Sequence, residues 1–301
     1  MSSTTVLQLI QQATGEMGLA VPTSAVGNTN TDVIQILALI NAVGFELNRE
    51  YEWQALNKLN LFQTNYLTTT GTVASGSAII TAIPTTAALS ARYQAVGAGI
   101  LQNAQIVSVD SGTQVTVNQQ ATASATAEAI TFSQTQYAMP SDYDRQVDRT
   151  HWDKTQHWQM IGPETAQQWE WLTSGYISSG PRVRYRIFGD FFQIWPPQGS
   201  QHYIGFEYVS KYWAATAAAV AKGSFTVDTD TCIFPDRLMV LGLKDKYFRV
   251  KGLGDVYADE YTAQVSIAKA NDSGSQTLAM SPQISEVLIS INQVPDTGYG
   301  S

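Results

Sequence analysis

Cysteine is almost missing from this chain: Cys232 is the single one among 301 residues. One thiol excludes an internal disulfide framework and leaves the redox compartment open. Histidine is nearly as scarce, with three, and no HExxH or comparable metal spacing occurs. Charge is thin as well, at 14% of residues, and its balance is −8. That sign argues against general affinity for nucleic acid, whose phosphates require a positive surplus, and it suits a surface that nucleic acid passes without sticking. Long apolar runs are also lacking. The longest, "WAATAAAVA" at 213–221, is about half of a membrane span. The start "MSSTTVLQLIQQATGE" has no basic segment before its apolar residues, so no secretory signal is expected. No P-loop, GxGxxG or GxSxG string occurs, and no cofactor is expected.

What is present is apolar and aromatic, 44% and 10%. That is enough for a packed core, and with so little charge it tilts towards surface hidden in an assembly. Val6, Leu9, Ile10, Ala13 and Met17 follow a helical stripe over 4–17, with Ser3 or Thr4 as cap and Gly18 as stop. A second helix is expected from Thr31–Asp32, on Val33, Ile36, Leu37, Ile40, Val43 and Leu47, ending near "NREYEW". Composition then shifts: residues 71–134 carry only Arg92, Asp110 and Glu128 as charges. The alternating runs "SAIITAI", "AQIVSVD", "TQVTVNQ" and "EAITF" predict a small β-sandwich of immunoglobulin-like type. Helix returns at "FPDRLMVLGLKDKYFRVKG", capped by Asp236, with Leu238, Leu241 and Leu243 on its apolar face. A final helix through about Ala270 carries Val256, Tyr257, Tyr261 and Val265. The expected class is α+β. Residues 1–68 and 135–270 form a core with a helical bundle from both chain ends, 69–134 is an inserted β module, and 271–301 is an extended tail.

Candidate chemistry is sparse. "PRVRYRIFGDFFQIWPPQG" at 181–199 reads as a hairpin turning at Gly189–Asp190, with Arg182, Arg184 and Arg186 on one face. That row is either a strip for an acidic partner or the wet face of an exposed hairpin. Lys244, Lys246, Arg249 and Lys251 read most simply as the solvated side of a helix. His151 and His157 lie six apart, too far for a helical ligand pair, and a structural role is expected for them and for His202. Cys232 reads as a small buried apolar residue. Asp142, Asp144 and Asp148 could be imagined as a glycosidase pair, but solvated loop and cap roles are commoner for acids this close. Trp152, Trp158, Trp169 and Trp171 are core or interface. The tail residues Ile284, Val287, Leu288, Ile289 and Ile291 form an apolar strand-former with no hairpin partner near it, which favours strand addition to another chain.

Several strings taken together resemble one family. "FEYVSKYWA", then "FPDRLMVLGLKDKYFRVKGLGDVYADEYTAQV", with "YAMPSDYDR", "FGDFFQIWPPQ" and "LALINAVGFELNREYEWQAL" in the right order, are similar to head-to-tail adaptors of short-tailed bacteriophages. These are the portal-adaptor or tail tubular protein A-like group. The likeness covers about 1–68 and 135–270 and is most specific over 236–262; the module at 71–134 departs from it. The resemblance implies a homododecameric ring clamped to the portal protein, with double-stranded DNA passing through its channel without sequence-specific binding. It also implies a tail that anchors on the portal and a hairpin arm that reaches a neighbour or the tail nozzle or tube protein. The expected place is the head–tail junction of a virion, assembled in the host cytoplasm with no membrane and no catalysis. Two other readings stand beside it: a carbohydrate-binding adhesion protein using 71–134, and a cell-wall-degrading enzyme using Asp142–Asp148.

Overall fold

The computed structural model describes residues 4–174 and 182–273. Among them are five α-helices: α1 (Val6–Glu16), α2 (Thr31–Glu50), α3 (Ala166–Thr173), α4 (Asp236–Val250) and α5 (Ala258–Ser273). The strands that matter below begin with β1 (Asn57–Gln63), β2 (Tyr66–Val73), β3 (Ile79–Ile80), β4 (Tyr93–Val96), β5 (Ala104–Ser111), β6 (Gln114–Val117) and β7 (Ala125–Gln134). They continue with β8 (Gln136–Ala138), β9 (Tyr143–Gln146), β10 (Trp152–Asp153), β11 (Trp158–Gln159), β12 (Arg184–Phe188), β13 (Phe191–Trp195) and β14 (Tyr203–Ser210). Helices and antiparallel sheets occupy separate stretches of chain, so the class is α+β. No helix of the described residues is long and apolar enough to cross a membrane. The chain divides into two compact units: 4–58, 142–146 and 208–273 in the first, 59–141, 147–174 and 182–207 in the second.

The first unit is built from helices of both chain ends. Thr5, one residue later than the stripe suggested, caps α1, because the Gln8 side chain accepts from the Thr5 N–H while Thr5 Oγ1 accepts from Gln8 N–H. Val6, Leu9, Ile10 and Ala13 are buried as expected. Asn30 caps α2 through the Asp32 N–H, and Val33, Ile36, Ile40, Val43 and Leu47 are buried. Pro235 takes the cap position of α4 and moves Asp236 into the first turn, where its carboxylate accepts from Thr4 Oγ1.

Helix α4 touches α1, α2 and α5, and every residue from Leu238 to Asp245 is buried. That packing corrects the solvated-face reading for Lys244, while Arg249 and Lys251 are exposed as read. Lys244 is buried and pairs with Glu16 of α1 at 2.8 Å, while its ammonium lies 4.0 Å from the Tyr257 ring centroid. Lys246 reaches Glu46 at 2.6 Å and Lys251 reaches Asp32 at 3.2 Å, both acids on α2. Lys244, Lys246 and Lys251 thus reach acids on other helices, whereas the exposed Arg249 pairs with Asp245 of α4 and with Asp255 in the following link. The Lys244 hydrogen bond is the main reason the Glu16 carboxyl sits below the usual range.

In the second unit the β-rich segment pairs in the order β2-β7-β4-β5-β6-β3. Thr72 and Thr81 then exchange backbone hydrogen bonds of 2.7 and 2.9 Å, which brings the ladder back to β2. A sandwich presents two facing sheets; this ladder runs through all six strands and nearly closes, around Ile80, Ile83, Val115, Ile130 and Phe132. Beyond it, β12 and β13 form the expected hairpin, with Gly189 at φ +58° in its turn, and β8 adds to β13. A further sheet runs β1-β14-β10-β11.

Two helical positions in the first unit demand glycine. A Cβ on Gly44 of α2 would meet the Trp213 ring at 2.3 Å, and one on Gly242 of α4 would meet Val43 at 2.7 Å. Gly44→Ala is expected to cost about 1–3 kcal/mol by overpacking, read as a lower urea midpoint at unchanged slope. A midpoint equal to wild type would mean that Trp213 moves aside freely.

Candidate functional site

The arginine row is the first candidate, and its members differ. Arg184 and Arg186 lie on the face of β12 opposite the buried Tyr185, as the alternation requires. Arg184 Nη1 donates to Glu164 Oε1 at 2.7 Å, and that carboxylate is itself buried. The Arg186 guanidinium lies 4.5 Å from the Phe188 ring centroid and 6.0 Å from that of Trp169. Arg182 is exposed, two residues before the strand. Two of the three cations are thus engaged within the hairpin's own unit, leaving Arg182 as the outward charge. The tryptophans divide likewise: Trp169 is buried, whereas Trp171 on the same helix is 53% exposed.

Two acids of the loop, Asp142 and Asp144, are engaged in bonds to neighbouring side chains. Asp142 Oδ1 accepts from Tyr208 Oη at 2.8 Å, and Oδ2 accepts from Ser210 Oγ at 2.8 Å and from Lys58. Burial pushes this carboxyl up, but the three hydrogen bonds together outweigh it and hold it below the usual range. A carboxylate kept ionised in this way is no general acid. Asp144 pairs with Arg145, whose other nitrogen donates to the carbonyls of Asn48 and Tyr51 at the end of α2.

His151 lies inside an aromatic stack. Its ring sits 4.1 Å from Tyr185, 5.1 Å from Phe206 and 5.9 Å from Phe192, at angles of 15° or less. Tyr185 Oη meets Nδ1 at 3.1 Å, while the buried Nε2 has no hydrogen-bond partner. Burial pushes the imidazole down to about 4, against a smaller upward pull from Asp148. The Cys232 thiol is buried against the Phe234 carbonyl and pushed up to about 12 by burial. Among the described residues no three His, Cys, Asp or Glu side chains are grouped to hold a metal.

One constellation escaped the sequence. Asp153 Oδ2 lies 2.5 Å from His202 Nδ1, and Ser200 Oγ lies 2.9 Å from His202 Nε2. This is the order in which a hydroxyl is activated for acyl transfer. The same groups also lock loops. Asp153 Oδ1 accepts from the N–H groups of Thr155 and Gln156, and His202 exchanges hydrogen bonds with Thr64 through its backbone. The only signal in the chain was the Ser-x-His spacing at 200–202; Asp153, 49 positions away in sequence, is brought in by the pairing of β10 with β14.

A second feature without a sequence signal is a cleft of about 300 Å³ in the first unit, beside the end of α2. Phe45, Arg49, Lys211, Tyr212 and Asp144 are among the residues lining it. The tail candidates Ile284, Val287, Leu288, Ile289 and Ile291 lie outside the described residues. No protein-family model matches the chain, and comparison with curated proteins finds no match either.

The His151 environment sets a pH dependence. Its folded value lies below the ordinary histidine value of about 6.5, so the fold holds it neutral. The stability this contributes is present above pH 6.5 and is lost as pH falls towards about 4. In His151→Phe, which keeps the stack, that acid loss is expected to shrink by on the order of 1–3 kcal/mol in urea titrations across the window. Parallel losses in variant and wild type would assign the effect to other groups.

Proposed function

We propose that this protein is a structural connector of a short-tailed phage virion, a ring subunit that joins the portal to the tail around the DNA channel. What carries the reading is the first unit: the strings that resemble adaptor proteins fall largely on helices that pack together from both chain ends. Read this way, these helices form the adaptor's bundle, and the β module is an immunoglobulin-like decoration in role, whatever its strand closure.

The uncovered surface supports it. Ile34 and Phe45 on α2, Val250 at the end of α4, Leu253 and Val256 in the following link, and Ile267 on α5 are all at least half exposed. Ring neighbours would cover such residues, each contact modest and multiplied by symmetry. The acid balance of −8 suits a channel that DNA slides through. Arg182 is the residue of the hairpin arm with charge to offer a neighbour or a tail nozzle or tube protein, and 281–301 is the segment assigned to the portal.

The test is co-sedimentation with portal rings, comparing the full chain with one ending at Met280. Binding by the full chain alone is expected. Binding by neither form would overturn the connector reading and raise the adhesion one, which predicts glycan binding through 71–134.

The reading includes no catalysis, and the Asp153–His202–Ser200 chain is its sharpest challenge. Ser200 is expected to resist fluorophosphonate labelling under conditions that fully label a serine hydrolase, because its partners are committed to loop backbone. Stoichiometric labelling that Ser200→Ala abolishes would establish an enzyme.

A further inference from the structure

We propose that the pocket enclosed by β4, β5, β8, β13 and α3 binds a neutral carbohydrate, which inserts one hydroxyl group into it. The proposal goes beyond the connector reading and does not rest on it, since every residue of the pocket belongs to the second unit.

Amides and aromatic rings line the pocket. Register sets Gln94 of β4 opposite Gln105 of β5, and Gln193 of β13 opposite Gln136 of β8. Opposed residues share a face of their sheet, so each pairing delivers two side-chain amides together. All four glutamines reach the same pocket. Backbone bonds fix the two pairs relative to each other. The Thr135 N–H donates to the Arg92 carbonyl, and the Ile194 N–H donates to the Thr135 carbonyl, both at 3.0 Å. Trp169 of α3 and Trp195 of β13 supply the aromatic wall, packed together with Leu172.

Two of these groups lack the partner that burial demands. Gln94 is only 2% exposed, yet its side-chain amide forms no hydrogen bond among the described residues. The indole N–H of Trp195, a residue 5% exposed, has no acceptor either. Buried polar groups are nearly always satisfied, and an occupant of the pocket is the partner open to both. The half-buried amides of Gln105, Gln136 and Gln193 are likewise unbonded among the described residues and add further donors and acceptors.

The lining also selects the class of occupant. It includes no charged side chain among the described residues, so an ionic ligand would lose hydration with no counter-charge to replace it. A hydroxyl both donates and accepts, as a primary amide does, and a sugar carries C–H surface that suits an indole wall. The room inside is about 20 Å³, which admits one water-sized group and leaves the sugar ring at the mouth. A peptide would seek a strand edge for its backbone, whereas the polar groups offered here are side chains.

The test titrates the full chain, its tryptophan indole nitrogens isotopically labelled, with methyl glycosides of glucose, galactose, mannose and N-acetylglucosamine. Trp195→Phe identifies the Trp195 signal. At least one glycoside is expected to move that signal saturably, in roughly the millimolar range. Gln94→Leu, similar in size but without the amide, should weaken the binding about tenfold. Gln193→Ala, at a half-buried position, should weaken it as well and stands in if Gln94→Leu fails to fold. Trp171→Ala, at the exposed ring of α3, should leave it unchanged. A Trp195 signal that no glycoside moves would overturn the proposal. So would binding lost with Trp171→Ala but kept with Gln94→Leu and Gln193→Ala, or a signal moved only by the peptide-group mimic N-methylacetamide. Portal co-sedimentation is untouched by these substitutions, so the two readings fail separately.

Discussion

Helices approach closely only where a side chain is missing, and the first unit is built around that constraint. Trp213 occupies the space that a Cβ on Gly44 would need, and Val43 occupies the space above Gly242. The indole is wholly buried and meets Phe225 and Phe234 at 4.9 and 6.2 Å. Because α2 can lie on Trp213, the link after β14 that carries Trp213 is held against the helix. Because α4 can lie on Val43, it becomes a helix buried on nearly every side. The Asp142 anchor and the cleft both sit where these elements meet.

Burying α4 so fully explains what becomes of scarce charge. Lys244 cannot be solvated where it lies, so it takes Glu16 and the face of Tyr257. Arg237 bridges Glu16 and Glu260, tying α1, α4 and α5 together. Such pairs at the surface stabilise little individually, about 0–1 kcal/mol. Their value is register, since both cations reach acids on neighbouring helices rather than on their own.

The second unit uses aromatic area where the first uses helix contacts. Tyr185, His151, Phe206 and Phe192 stack nearly parallel, and the imidazole stays neutral because the stack excludes water. The polar chain from Asp153 to Ser200 closes a loop of the same unit by hydrogen bonds. Its catalytic look and its structural duty arise from one geometry, which is why reactivity rather than distance is the discriminating property.

Local order was legible in the residues. The stripes of α1 and α2, the hairpin turning at Gly189, and four of the module's strand runs follow from periodicity and turn chemistry, which act over a few residues. The strand β4 did not show, because Tyr93, Gln94 and Ala95 are all buried and a central strand covered on both faces has no alternation to read. Nor did the return of the ladder through Thr72 and Thr81, which depends on shear accumulated over six strands. The burial of Lys244, the meeting of Asp153 with His202, and the cleft between Arg49 and Lys211 were likewise decided by tertiary structure alone. Each joins residues far apart in the chain, and only packing sets whether a charge at such a place faces water, a partner or an empty cleft. Sequence by itself settled the periodic helices at both chain ends, the hairpin and the alternating strand runs, since those choices rest on neighbours along the chain.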